Sequence, residues 1–251
     1  MDVSRIALLP PTFPAAPPFG RPIIPVMDAL TAVAIAALGL AIVSAAGIAG
    51  DIARGYRQRM AVMDVVWPVT ALYLGPLAAW AYVRWGRPES PRWQRERGSG
   101  PGHSMPVAVA VAVSHCGAGC TIGDIVGSSV VFLLGLGLAG LGLWAELPVD
   151  FALAYGLGIA FQYFAIAPVR DLGLRDGIVA AVRADTLSLS AFEVGMFGWM
   201  ILVQLVVFPV RHLHPDALAF WFFMQVGMIL GFVTAYPVNW WLVQRGFKER
   251  M

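Results

Sequence analysis

The sequence predicts an all-α integral membrane protein, a six-span helical bundle with a broken or re-entrant helix at a histidine–cysteine motif. Three observations point there. Hydrophobic residues make up 59% of the 251 and charged residues only 13%, against about 25% charged in a soluble domain. Mean hydropathy is +0.73. The charges are gathered in short clusters between apolar blocks, several of which reach the ~20 residues that cross a bilayer. A net charge of +2 is too small and too local to suggest nucleic acid, so the expected partner is the lipid bilayer. The two cysteines, Cys116 and Cys120, cannot build a disulfide framework. Helical neighbours four apart also hold their Cβ atoms about 5–6 Å apart, too far for a bridge.

Residues 1–25 are rich in proline (Pro10, Pro11, Pro14, Pro17, Pro18, Pro22, Pro25) and read as a disordered leader. Residues 26–85 read as a two-span N-terminal hairpin. Its first block, Val26 to Gly50, carries a small-residue stretch at Ala45-Ala46-Gly47 that could pass for a signal cleavage site; length and late start favour a retained span. A basic turn (Arg54, Arg57, Arg59) leads to a second span from Val62 to Trp85, in which Pro68 and Pro76 should introduce kinks. Residues 86–104, with Arg87, Arg92, Arg95, Arg97 and a Gly-Ser-Gly-Pro-Gly run, form a polar linker expected in the cytoplasm.

Residues 105–251 read as a four-span bundle holding the polar site. Met105 to Trp144 would be about 60 Å as one helix, twice the bilayer, so a break is expected near Gly117–Gly123, followed by a span from Ile125 to Trp144. Broken helices at membrane depth occur where they line a protein-enclosed cavity; a tilted continuous helix is the alternative. The fourth span runs from Val149 to Val169. Residues 171–185 read as an interfacial helix continuing into the fifth span, Thr186 to Pro209, and Ala217 to Val243 forms the sixth. Six spans place both termini on one side with Arg5, Arg21, Arg84, Arg87, Arg92, Arg95, Arg97, Arg170, Arg175, Arg183, Arg245, Lys248 and Arg250, and leave Arg54, Arg57, Arg59 and Arg211 opposite. The excess of basic residues predicts cytoplasmic termini in a cell (inner) membrane, although the basic turn at 54–59 argues the other way.

Four blocks resemble a bacterial multi-pass membrane family known as a domain of unknown function (four-three-nine-six). They are Met60–Tyr73 (MAVMDVVWPVTALY), His115–Asp124 (HCGAGCTIGD), Ala184–Met196 (ADTLSLSAFEVGM) and Tyr236–Leu242 (YPVNWWL). Together they extend over about residues 55–250. The resemblance implies a multi-pass inner-membrane protein and brings no activity with it.

Candidate chemistry therefore comes from polar residues in apolar spans, where ionisable groups mark function by default. Cys116, Cys120 and Asp124 fall at i, i+4 and i+8, one stripe on a helix. His115 lies about 100° round from Cys116. Thiolate and imidazole suit soft or borderline ions, chiefly copper(I) and zinc, so His115, Cys116, Cys120 and Asp124 are the candidate metal ligands. The competing reading makes both cysteines small buried hydrophobes in a glycine-rich packing seam. Asp185, Ser188 and Glu193, with Met196, form a supporting polar cluster, and Glu193 in an apolar span suits a proton carrier. Met200, Met224 and Met228 could be thioether ligands or core filler. Gln204, Gln225 and Asn239 could hydrogen-bond between helices, and His212 and His214 read as loop residues. No serine-protease arrangement, phosphate loop or HExxH helix is present.

The function expected is transport or binding of a soft transition metal, copper or zinc, at this intramembrane site. A membrane thiol or redox enzyme, with His115 tuning a reactive cysteine, and a structural subunit of a membrane complex are the alternatives. The two polar clusters are expected to meet, with 114–124 packed against 185–200.

Overall fold

Five long apolar stretches carry no helix-ending signal strong enough to stop them, and each forms a helix of 25 residues or more. A computed structural model of the chain describes residues 23–100, 102–136, 143–210 and 212–248. In chain order the helices are α1 (Ile23–Ala53), α2 (Met63–Leu74), α3 (Pro76–Ala81), α4 (Pro91–Arg97), α5 (Met105–Leu133), α6 (Leu143–Arg170), α7 (Leu174–Leu202) and α8 (Leu218–Gln244). A π-helical turn, Val203–Val207, extends α7. No strand occurs among the described residues. The candidate spans are α1, α5, α6, α7 with its extension, and α8. α1 shows Val33, Ile35, Leu40, Ile42 and Val43 on its outer face, as a helix bathed in lipid would.

The segment expected to be the second span is not one continuous helix. At Gly75 the backbone adopts φ +54° and ψ −131°, a conformation that favours glycine, and Pro76 then starts a new helix. The chain reverses there. Trp67 of α2 lies edge-on to Tyr82, with ring centroids 5.7 Å apart, and packs so closely on Gly86 that a Cβ would collide with the indole. The tip of this hairpin meets the middle of α1, where Ala41 lies 3.9 Å from the position of a Gly75 Cβ. Its two feet lie at one end of the molecule. There Arg87 Nε pairs with Asp51 Oδ2 at 2.9 Å, Tyr82 donates to the same carboxylate at 2.9 Å, and Tyr56 donates to Glu96 at 3.1 Å. Arg59 reaches Gln94, and Arg92 reaches the Arg54 carbonyl. The Arg87 guanidinium also stacks 3.9 Å from the Tyr56 ring centroid.

The turn at 54–59 and the 86–104 linker therefore share one end, called the basic end below. The helical hairpin of this chain thus lies at 63–86, away from the histidine–cysteine motif. Pro68 leaves α2 unbroken, and the interruption falls at Gly75–Pro76.

α5 is the central helix. Of its apolar window 72% is buried, against 17–44% in the other four spans. It runs unbroken through the His-Cys motif from Met105 to Leu133, so the break expected at Gly117–Gly123 is absent. The glycines serve close approach: a Cβ on Gly119 would strike the backbone of Gly158, one on Gly123 that of Ala154, and one on Gly127 the side chain of Asp150. Small residues at this i, i+4 spacing let two helices pack backbone to backbone, and α5 and α6 form an antiparallel pair along that seam. After Asp171, at φ +51°, the chain enters α7, so the helix expected to begin near 171 runs on into the fifth span as one element, Leu174–Leu202. Residues 1–22, which hold most of the proline-rich leader, and the 137–142 part of the expected third span lie outside the described residues.

The seam makes a direct expectation. Gly123→Ala should destabilise the protein by about 1–3 kcal/mol through overpacking, read as a lower unfolding midpoint in detergent. Gly156→Ala on the same pair of helices, where a Cβ meets nothing within 4 Å, should stay within about 0.5 kcal/mol of wild type.

Candidate functional site

Helical periodicity places Cys116, Cys120, Asp124 and Ser128 on one stripe of α5, spanning about 18 Å. All four are buried. The inner face of α7 answers with Asp185, Ser188, Glu193 and Met196, also buried, because these positions repeat at three to five residues and so return to one side. The two helices run parallel, which brings the stripes into register.

At the basic end the contacts are explicit. Lys248, just beyond α8, turns back into the bundle. Its Nζ pairs with Asp185 Oδ1 at 2.6 Å and donates to Asn239 Oδ1 at 2.9 Å and to the Ala112 carbonyl at 3.4 Å. Asn239 Nδ2 donates to Ser188 Oγ at 2.6 Å. Ser188 Oγ lies 2.8 Å from Cys116 Sγ, which donates onward to the Val113 carbonyl at 3.4 Å. Burial alone would lower the Lys248 pKa, but the Asp185 carboxylate outweighs it and raises the value above the ordinary 10.5. The ion pair's contribution is thus fully present below the ordinary lysine value, and is lost only as pH rises through the folded one.

Deeper in, the file continues with acids. Cys120 lies beside the Glu193 carboxyl, and Glu193 acts electrostatically on Asp124, as does Asp150 of α6. Ser128 donates to Asp150 Oδ2 at 2.8 Å. Both carboxyl oxygens of Asp124 and both of Glu193 are buried without a hydrogen-bond partner. Buried polar groups are almost always paired, so this pair is the most incomplete chemistry among the described residues.

The hairpin tip closes the site from the side. Tyr73 is buried, with its ring edge-on to Phe192 at 6.3 Å between centroids, and a Cβ on Gly117 would lie 3.1 Å from the Tyr73 hydroxyl. Gln225 of α8 anchors the tip by donating to the Leu72 carbonyl at 2.9 Å.

The predicted site residues do not all converge. Cys116 meets Ser188, and Cys120 lies beside Glu193. His115 points elsewhere, its ring 6.4 Å from that of Phe161 on α6, and neither ring nitrogen has a hydrogen-bond partner. Among the described residues no three His, Cys, Asp or Glu side chains are grouped so as to hold a metal ion. Both thiols are free and buried. Met196, Met200, Met224 and Met228 pack in the main apolar core with them. Gln204 holds the loop after α7 by a reciprocal pair with Leu213 at 2.7 and 2.9 Å. Lys248, Asp150 and Ser128 were not legible as site residues: Lys248 reads as part of a basic tail, and Asp150 and Ser128 as ends of spans.

The buried ion pair should behave as a unit. Asp185→Ala strands the Lys248 ammonium and should cost on the order of 3–5 kcal/mol, whereas the Asp185→Leu/Lys248→Met double variant should recover most of that loss. Unfolding midpoints of the two proteins in the same detergent check it; equal losses would show that the pairing contributes nothing.

Residues 107–248 match the family described as Domain of unknown function (DUF4396). The match takes in α5 to α8 and Lys248, and leaves out α1 and the Met60–Tyr73 block of the hairpin. No curated protein matches the chain, and neither does any solved structure. With more than half of its length covered by one family, and the whole file from Lys248 to Asp150 inside the match, the chain belongs to the DUF4396 family.

Proposed function

We propose that this chain is a multi-pass membrane carrier that takes up and releases a proton at the Asp124–Glu193 carboxyl pair. One observation carries the reading: four carboxyl oxygens buried at mid-span have no hydrogen-bond partner among the described residues, and the buried Lys248 is engaged by Asp185 instead. Two neighbouring carboxylates in so dry a place do not both hold charge, so the pair requires a proton or another cation. Polar groups flank it on both sides, Cys116–Ser188–Asn239 toward the basic end and Asp150–Ser128 away from it. That is a disposition suited to a relay through an otherwise apolar bundle.

A soft metal ion bound at Cys120 is a second reading, favoured by a thiol lying beside the Glu193 carboxyl. A thiol enzyme is less well served, since reactive thiols need partial exposure and both cysteines are buried.

Infrared difference spectra of the purified protein test the proton reading. A C=O stretch of a protonated carboxyl should appear in wild type and be lost or shifted in both Asp124→Asn and Glu193→Gln; an identical band in both variants would end it. Metal analysis of wild type against the Cys116→Ser/Cys120→Ser variant decides the second reading. Bound copper or zinc lost with the thiols supports it, and no metal in either protein removes it.

Five spans and a re-entrant hairpin also give an orientation. Every described Lys and Arg lies toward the basic end: Arg54, Arg57, Arg59, Arg84, Arg87, Arg92, Arg95, Arg97, Arg170, Arg175, Arg183, Arg245 and Lys248. The positive-inside rule puts that end in the cytoplasm, and the turn at 54–59 now agrees with it. The start of α1 then faces the other side. With the native thiols buried, single cysteines at the exposed positions Arg57 and Arg95 should both resist impermeant thiol reagents on intact cells, while Asp216→Cys should label. Labelling at 57 but not at 95 would restore a sixth crossing.

A further inference from the structure

Lys248 is out of place for a residue beyond the end of a transmembrane helix. Arg245, Gly246 and Phe247 before it are exposed. Gly246, at φ +73°, turns the chain back, and Lys248 alone of this segment enters the bundle, where it is 3% exposed. What it enters is a set of oxygens from three different helices: Asp185 Oδ1 from α7 at 2.6 Å, Asn239 Oδ1 from α8 at 2.9 Å and the Ala112 carbonyl of α5 at 3.4 Å.

These acceptors are held independently of the lysine. Asn239 presents Oδ1 because its Nδ2 is fixed by Ser188 Oγ at 2.6 Å and the Ala235 carbonyl at 2.9 Å. The Ala112 carbonyl belongs to the helical backbone. Asp185 is fully buried, and its Oδ2 has no hydrogen-bond partner among the described residues, so the described oxygens offer more than one ammonium group uses.

We propose that this cage is a binding site for an ammonium-type cation, meaning ammonium itself or a small protonated primary amine, in which Lys248 is a tethered occupant closing the basic end of the polar file. One carboxylate supplies the counter-charge. Three oxygens facing a common point accept the N–H donors of a primary ammonium, which a quaternary ammonium cannot provide. Withdrawal of Lys248 on its short exposed tether frees the site and opens the file toward Ser188 and Cys116. The geometry at Lys248 carries this by itself, and it holds whether or not Asp124–Glu193 carries a proton.

Chemical rescue tests it on the full-length protein in detergent. Lys248→Ala leaves the cage empty, and its unfolding midpoint should fall. Ammonium or methylammonium chloride at about ten times its Kd should raise that midpoint by about 3–6 °C. Tetramethylammonium chloride at the same ionic strength should not, and wild type, where Lys248 has first to withdraw, should respond more weakly to ammonium and methylammonium and not to tetramethylammonium. An Asp185→Asn/Lys248→Ala variant should lose the response. Equal response to ammonium and tetramethylammonium, equal response in wild type, or a response surviving in the double variant would each overturn the proposal. Where Lys248→Ala is not recovered folded, extraction in ammonium chloride replaces the titration. Folded yield restored by ammonium and not by tetramethylammonium supports the site, and yield restored by neither overturns it.

Discussion

The architecture depends on how α5 can be covered. One of its faces carries polar groups at 116, 120, 124 and 128, and another carries glycines at 119, 123 and 127. Neither face can be shown to lipid: the polar one would leave thiol, carboxyl and hydroxyl groups without partners in hydrocarbon, and the glycine one would leave a groove unfilled. A single helix with two such faces has to sit at the centre. α6 fills the glycine groove, α7 and α8 meet the polar stripe, and α2 of the hairpin closes what remains, with α1 packed against the hairpin and α8. The order of burial among the spans, with α5 far ahead and α1 last, is the result.

Glycine and the polar groups cooperate in this packing. Gly127 has no Cβ, so the Asp150 side chain can lie across the helix and take the Ser128 hydroxyl at 2.8 Å. Gly117 leaves room for the Phe192 ring and the Tyr73 hydroxyl. Gly231 lets the backbones of α7 and α8 approach at Phe192, which helps bring Asn239 to Ser188. The short side chains thus set the distances at which longer polar ones connect across helices. A methyl group added to the seam therefore acts on the polar file as well as on stability.

Much of this was legible in the sequence. Composition and block length establish a helical membrane protein, and the limits of α8 and the C-terminal end of α6 fall close to the apolar blocks. The i, i+4, i+8 spacing of Cys116, Cys120 and Asp124 puts them on one face for any unbroken helix, as Asp185, Ser188 and Glu193 are set on one face of α7. The break expected in α5 came from the length of Met105–Trp144, with the interruption placed at the glycines near its centre, whereas α5 ends at Leu133. In a buried helix the packing gained by close approach offsets the ~1 kcal/mol propensity penalty of each glycine, and the helix continues. The second span was misread in another way. Val62 to Trp85 is apolar and long enough to cross, and the reversal at Gly75 is a single backbone conformation to which hydropathy is blind.

By itself the sequence determined the class of the protein, the stripes along its helices and the residue types able to do chemistry, because period and composition are local properties. Which stripe faces which, and which end each loop occupies, was decided by tertiary structure. That Lys248, far from Asp185 in sequence and outside any span, returns to a buried carboxylate follows from one positive-φ glycine and from a charge that no other described cation reaches. That His115 leaves its cysteine neighbour for α6 follows from the ~100° step between adjacent helical residues, together with which helix happens to stand there. Local rules fix directions around each helix axis, and only the packing of all the helices says what lies in those directions.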